Sequence, residues 1–220
     1  MSGILGNKQQ KQKDNSTGSL KEGLRSTAIK ELGSTPPVIM ETNGGYGHIY
    51  QHCYKDVVDG IVFEKMRPKA LVLAQQRPSW SVYCCDNEMA IRAGVGRHLE
   101  VNFLDVDPYG ECWKILDAFF ASDRPRPPRL VVVVNCGLRQ SLKLNAGWHI
   151  ESLKEIVSTY GNQMIWKHYL SIAKELVQKK AAKPGYRLSR WNGYYCGHGQ
   201  NMTHFAAVLD RSSSSSSSST

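Results

Sequence analysis

The run Leu130-Val131-Val132-Val133-Val134 constrains the fold more than any other segment of the chain. Consecutive β-branched residues suit a pleated strand and crowd a helix. Side chains on a strand alternate between its two faces, so a strand apolar at every position must be covered on both. That is the situation of an interior strand in a parallel sheet flanked by helices. A chain of 220 residues with 41% hydrophobic content can build such a core.

The remaining pattern agrees with a parallel sheet. Short apolar runs predict strands at residues 38–41, 60–64, 80–85 and 101–105. Helical patterns follow at 48–58, 68–76, 87–93 and 112–120, the second with apolar positions at Leu71 and Ala74. A long helical stretch over 150–180 is expected to break near Tyr160 and Gly161. Residues 186–196 and 203–209 read as two strands joined by Gly197-His198-Gly199-Gln200-Asn201, hence an antiparallel hairpin. Strands alternating with helices and ending in a hairpin give an α/β fold with a largely parallel sheet.

The flanks differ in composition. Residues 1–35 are polar and rich in Lys, Gln, Ser and Gly, and are expected to form a flexible basic arm, with residues 20–32 able to form a short helix. The domain is expected over residues 36–211, entered at Pro36-Pro37. Residues 212–220 form a serine-rich tail that buries nothing and is expected to be disordered. No apolar run is long enough to span a membrane, and the N-terminus lacks an apolar signal core. A cytoplasmic location is the expectation.

Six cysteines contain no Cys-x-x-Cys pair, and most lie in apolar segments, so free thiols are expected. His48 and His52 have the spacing of helical neighbours that could share a metal. The nearby sequence supplies no acidic or cysteine partner at metal-site spacing, and no metal is assigned. The formal charge of +9 points to a polyanionic partner.

Polar residues collect where the predicted strands end. Glu41-Thr42-Asn43-Gly44-Gly45-Tyr46-Gly47 joins the first strand to the first helix, and glycines let a backbone approach a ligand closely. Glu64 closes the second strand, where an acid can accept bonds from both ribose hydroxyls. Asp86 closes the third, within reach of an adenine amine. Any one of these is also explained as a solubilising strand end. Together they mark a single rim, because ligands bind at the carboxyl ends of parallel strands.

Taken in order, these residues resemble a class I S-adenosylmethionine-dependent methyltransferase over residues 38 to about 209. The resemblance implies a Rossmann-like, mostly parallel seven-stranded sheet whose last strand is reversed in a C-terminal hairpin. That reversal separates the family from nicotinamide-binding domains. The resemblance implies S-adenosyl-L-methionine as cofactor. It places Gly44, Gly45 and Gly47 against the methionine part, Glu64 at the ribose, and Asp86 with Asn87 at the adenine. Glu41 and Asp105, the acids ending the first and fourth strands, are counted with the cofactor residues.

The fourth strand ends in Asp105-Val106-Asp107-Pro108-Tyr109-Gly110. Amino-methyltransferases of this class carry Asp/Asn/Ser-Pro-Pro-Tyr/Phe here, and this chain lacks the second proline. Asp-x-Asp-Pro-Tyr/Phe-Gly, found in tRNA N2,N2-guanine dimethyltransferases, is more similar. The chain is too short for the extra domain of those enzymes, so a tRNA substrate is not carried over. Asp107 and the Pro108 carbonyl would accept hydrogen bonds from an exocyclic amine and orient its lone pair. Tyr109 would stack on the base, flipped out of any duplex. The bland alternative is a strand-ending turn.

Arg139, Lys143, Lys179, Lys180, Lys183 and Arg187 are candidate phosphate contacts, with Arg124, Arg126 and Arg129 as a further basic set. A solvated charged face is the competing reading. Trp191, Tyr194 and Tyr195 offer stacking surfaces or hairpin packing. Asn135-Cys136-Gly137 ends the valine strand on the same rim. The sequence thus supports an amino-methyltransferase acting on DNA or RNA. The alternatives are a methyltransferase for protein or small-molecule amines, and a non-catalytic nucleic-acid-binding protein of the same fold.

Overall fold

The computed structural model describes residues 17–108, 110–144 and 151–212. Helix α1 (Gly18–Ile29) continues into a 3-10 turn at Lys30–Leu32 and precedes β1 (Val38–Glu41). Next come β2 (Asp59–Phe63), α2 (Arg67–Gln76), β3 (Ser81–Tyr83), α3 (Asn87–Arg92), β4 (Phe103–Val106) and α4 (Trp113–Ala121). The chain continues through β5 (Arg129–Cys136), α5 (Leu138–Lys143), the long α6 (Glu151–Ala182), β6 (Tyr186–Cys196) and β7 (Met202–Arg211).

These strands form one seven-stranded sheet in the order β3-β2-β1-β4-β5-β7-β6. The first five strands are parallel to one another, and β7 runs antiparallel between β5 and β6. The strand order reverses between β1 and β4, which opens a crevice at their carboxyl ends. The valine strand lies inside the sheet as expected. Val131 and Val133 join the cluster with Leu24, Tyr54 and Leu73 on one face, and Val132 and Val134 join the cluster with Trp113, Phe119 and Tyr169 on the other.

Two local expectations are altered by the structure and a third holds. The helix expected over 48–58 is present but ends at Tyr54, and its Tyr50–Tyr54 part is a π-helical turn. Its two tyrosines are buried against Trp80, and the Trp80 indole N–H donates to Val57 O at 2.9 Å. Helix α2 presents Ala70 and Leu73 to the core, while Leu71 is 57% exposed and Ala74 is also exposed. The helix begins at Arg67, and that phase puts Leu73 and Arg77, four residues apart, on its inner face. Helix α6 breaks where the sequence suggests, at Gly161 with φ 69° and ψ 165°.

The largest difference lies in the expected arm. Residues 18–32 pack on the sheet, their helix agreeing with the short one expected over 20–32, and residues 1–16 lie outside the described residues. Leu24, Ala28 and Leu32 recur every four residues and are buried, and Arg25 beside them is fully buried. Tyr194 O–H donates to Leu20 O at 2.8 Å, and Arg190 pairs with Glu31 at 2.9 Å. A stripe of three apolar residues is too weak to read in a polar sequence. It holds here because the buried arginine meets a carboxylate.

The cysteines among the described residues are free thiols. No described helix is long and apolar enough to cross a membrane.

Candidate active site

The glycine loop lies against the crevice at the ends of β1 and β2. Gly44 N–H donates to Phe63 O at 3.1 Å, and Gly47 N–H to Gly44 O at 2.9 Å. The loop is packed to the limit of glycine. A Cβ at Gly44 would lie 2.4 Å from Val62 Cγ2, and one at Gly47, where φ is 80°, would lie 2.1 Å from Gln76 Oε1. Gly45 differs, with φ 56° and open space where a Cβ would point. That Gln76 oxygen is buried without a donor among the described residues. The loop therefore presses one side onto the sheet and leaves the Gly45 side open, which fits a ligand lying along it.

Glu64 faces this loop. Its carboxylate accepts from Gly45 N–H at 2.9 Å and from Met66 N–H at 2.8 Å. Both oxygens retain free lone pairs for hydroxyl donors. Asp86 caps α3 by accepting from Met89 N–H at 3.2 Å, and its side chain is 38% exposed. Asn87 donates to Thr42 O at 2.8 Å, and Thr42 N–H donates to Asp105 O at 2.9 Å. The ends of β1, β3 and β4 are thereby bound together. Gly44, Gly45, Gly47, Glu64, Asp86 and Asn87 follow the carboxyl ends of β1, β2 and β3 and share one rim.

Glu41 and Asp105 face inward instead. Glu41 is buried against the Arg77 guanidinium, which also lies over the Tyr50 and Trp80 rings. Burial lifts the Glu41 carboxyl to about 7 despite Arg77. Asp105 receives Arg25 and the Tyr54 hydroxyl. Both acids hold the rim from below, and both carboxylates are buried away from solvent.

Asp107 lies just past β4, with its side chain 20% exposed. Lys21 Nζ donates to both of its oxygens at 3.0 Å, and Arg25 Nη2 stands 3.6 Å away. Burial pushes the Asp107 carboxyl up, but Arg25 and Lys21 outweigh it and hold the group below its ordinary value. Asp107 is thus a charged acceptor with an amine held across both oxygens. Tyr109 lies outside the described residues.

A polar row runs from Asp107 across the sheet beneath α1. The β4–β5 register pairs Val106 with Val134, which puts Asn135 beside Asp107 at the next step. Asn135 pairs in register with His204, and His204 with Tyr194. Asn135 is near enough to Asp107 to help hold its charge, yet neither amide atom makes a well-formed hydrogen bond among the described residues. His204 Nε2 likewise has no partner there. Tyr194 gives its proton to Leu20 O, so its oxygen accepts from His204 Nδ1 at 3.3 Å and leaves Nε2 as a bare acceptor. Lys21, Arg25, His204 and Tyr54 were not singled out by the sequence. The only signal for the first two is a pair of cations four apart, matching two acids two apart on a strand end.

The basic residues divide. Arg139 is buried, donates to Trp166 O at 3.0 Å and to Gln200 O, and stacks on Trp166 and Tyr195. Lys180 pairs with Asp117 and lies over Trp113. Arg139 ties α5 to α6 and the hairpin, Lys180 ties α6 to α4, and neither is displayed to a phosphate. Arg124 is also buried, Arg126 caps carbonyls at the end of α4, and Arg129 pairs with Asp210. Lys143, Lys179, Lys183 and Arg187 are exposed. Trp191 stacks on Phe205, and the Tyr195 hydroxyl oxygen accepts from Leu170 N–H, so these rings serve the hairpin.

Comparison with protein-family models and with curated protein sequences gives no match. Solved structures do match. The plantazolicin methyltransferase BpumL, in complex with SAH and a desmethylPZN analog, has TM-score 0.56 and 12% identity over 91% of this chain and 87% of its own. Magnesium protoporphyrin IX methyltransferase (ChlM) from Synechocystis PCC 6803, with bound SAH, has TM-score 0.55 and 9% identity over 96% of this chain and 90% of its own. M. jannaschii TYW2, in complex with AdoMet, has TM-score 0.51 and 11% identity over 95% of this chain and 79% of its own. The chain has the Rossmann-like fold of these proteins, including the reversed strand in the sheet.

Proposed function

We propose that the chain is an S-adenosylmethionine-dependent methyltransferase whose acceptor is an amine, specifically an exocyclic base amine of DNA or RNA. One observation carries the amine assignment. Asp107, at the switch-point rim, holds a nitrogen donor across both carboxylate oxygens at 3.0 Å. A carboxylate that grips the Lys21 amine can grip a substrate amine in the same way once Lys21 withdraws.

The cofactor, when bound, supplies a methyl group made electrophilic by its sulfonium. The open side of Gly45 would take the methionine part, Glu64 the ribose hydroxyls, and Asp86 with Asn87 the adenine. Asp107 and the Pro108 carbonyl would accept the amine N–H groups and fix the direction of its lone pair. The rate gain would come from orientation and from keeping negative charge beside the developing ammonium. The charge of +9, with Lys143, Lys179, Lys183 and Arg187 exposed, supports a polyanionic acceptor.

A second reading takes a protein or small-molecule amine as acceptor. It is favoured by Lys21 itself, an alkylamine already lodged against Asp107. Tritiated methyl transfer to DNA, total tRNA, rRNA, protein and free amines in parallel decides between them. Label in nucleic acid that depends on Asp107 supports the first reading, and label only in protein or free amine replaces it with the second. Failure to bind S-adenosylhomocysteine sinks both and leaves a non-catalytic binding protein.

A further inference from the structure

We propose that Glu22, His48 and His52 form a site for one zinc-like divalent metal ion, which clamps α1 to the turn after the glycine loop. The two histidines lie four residues apart with ring centroids 4.3 Å apart. Glu22 comes from α1 and brings Oε1 within 3.0 Å of His48 Nε2. One ligand atom from each residue lies within 4.8 Å of the other two. Ligands bound at about 2.0–2.2 Å in a tetrahedron are roughly 3.4 Å apart, so small side-chain rotations suffice. Two imidazoles and a carboxylate suit zinc and leave a fourth position for water.

A local bond prepares the set. His52 Nδ1 lies 2.8 Å from His48 O, and a carbonyl can only accept, so Nδ1 carries the proton. That leaves the lone pair of His52 on Nε2, free for a metal. The sequence hid the third ligand because Glu22 precedes the histidines by a whole strand and is brought to them by α1.

The consequence concerns the rim. Glu22 neighbours Lys21, whose amine covers Asp107, and Arg25, which pairs with Asp105. A metal holding Glu22 would hold α1 down over Asp107. Metal binding itself does not depend on the methyltransferase reading, so the two stand or fall separately.

The test uses the full chain freed of metal with a chelator. Titration with Zn2+ by calorimetry should show one equivalent bound. Co2+ should give a visible spectrum without thiolate charge-transfer bands, which separates this site from the free cysteines. Glu22→Gln and His52→Ala should each weaken Zn2+ at least about tenfold, while Cys84→Ser should not. His48 and His52 are exposed, so the His48→Ala/His52→Ala variant should fold normally by circular dichroism. Hydrogen exchange of α1 amides should slow with Zn2+ in the unaltered chain and not in that variant. Absence of saturable binding, or unchanged affinity in the double variant, overturns the site. Binding without slower exchange in α1 overturns the clamp.

Discussion

Arg25 and Asp105 form a buried bidentate ion pair, with Nε–Oδ2 at 2.7 Å and Nη2–Oδ1 at 2.6 Å, across a separation of 80 residues. The Tyr54 hydroxyl adds a third donor to the same carboxylate at 2.8 Å. Burial opposes the charge on Arg25, but Asp105 outweighs it and raises the pKa of the guanidinium further. Removing the cation alone leaves a carboxylate in a dry site. Arg25→Met should therefore cost about 3–5 kcal/mol in urea unfolding at neutral pH. Arg25→Met/Asp105→Asn should recover part of that loss, since neither charge is then stranded. A loss below about 1 kcal/mol in the single variant would mean that α1 is not anchored by this pair.

Lys21 gives a different expectation, because its side chain is 24% exposed and its partner Asp107 is 20% exposed. A partly solvated ion pair contributes about 1 kcal/mol or less. Lys21→Met should leave stability nearly unchanged and free both Asp107 oxygens, lowering the KM for the acceptor several-fold. Asp107→Ala should abolish methyl transfer while leaving S-adenosylhomocysteine affinity within about twofold. Steady-state kinetics and cofactor titration separate the two effects. A drop in turnover for Lys21→Met as large as that for Asp107→Ala would make Lys21 a working part of the site instead.

The parts of the fold legible in the sequence are those set by short-range pattern. The valine strand must be covered on both faces wherever it lies, and the glycine loop, Glu64 and Asp86 reach one rim because parallel strands share a direction. The pairings around Asp105 and Asp107 were not legible. Arg25 and Asp105 are 80 residues apart in the chain, and neither has a local feature that marks it as buried. Arg139 and Lys180 show the same limit from the other direction. They read as surface cations, and aromatic rings and a carboxylate from distant segments cover them.

The glycine loop allows steric and chemical roles to be separated. A methyl at Gly44 meets Val62 Cγ2 at 2.4 Å and Leu73 Cδ1 at 2.6 Å, and both neighbours are fully buried. Gly44→Ala should destabilise the chain by about 1–3 kcal/mol even without ligand. Glu64→Gln keeps the shape but weakens the charged acceptor facing Gly45. It should lower S-adenosylhomocysteine affinity by about 1.5–3 kcal/mol with little change in thermal midpoint. Unchanged affinity in calorimetry would remove Glu64 from the cofactor site.

For the charged surface, exposure decides the expectation. Neutralising the exposed Lys143, Lys179, Lys183 and Arg187 together should weaken nucleic-acid binding uniformly across sequences. It should also flatten the salt dependence by about one unit of slope for each phosphate that is no longer neutralised. Arg139→Ala should instead lower stability, because its guanidinium bonds Trp166 O and stacks between two rings. Filter binding across a salt series, alongside thermal unfolding, distinguishes the groups. An unchanged salt slope in the four-fold variant would place the interface elsewhere.

His204 supplies the pH prediction. Burial lowers its pKa from 6.5 to about 4, with Lys21 adding to the effect and Asp107 opposing it. Its bare Nε2 has no acceptor among the described residues to receive a new proton. The unfolded chain therefore takes up a proton near pH 6.5 that the folded chain refuses until about pH 4. The stability contributed by neutral His204 is full above that window and falls through it, by about 3 kcal/mol in total. Glu41 acts in the opposite sense, because burial raises it from 4.5 to about 7, so acid relieves rather than adds a cost there. The two offset each other in the total profile, and a difference experiment isolates the histidine. Urea unfolding at about pH 7 and about pH 4.5 should show His204→Gln gaining about 2–3 kcal/mol relative to the unaltered chain on acidification. Parallel pH profiles for the two proteins would mean that His204 takes up its proton in the folded state as readily as in the unfolded one.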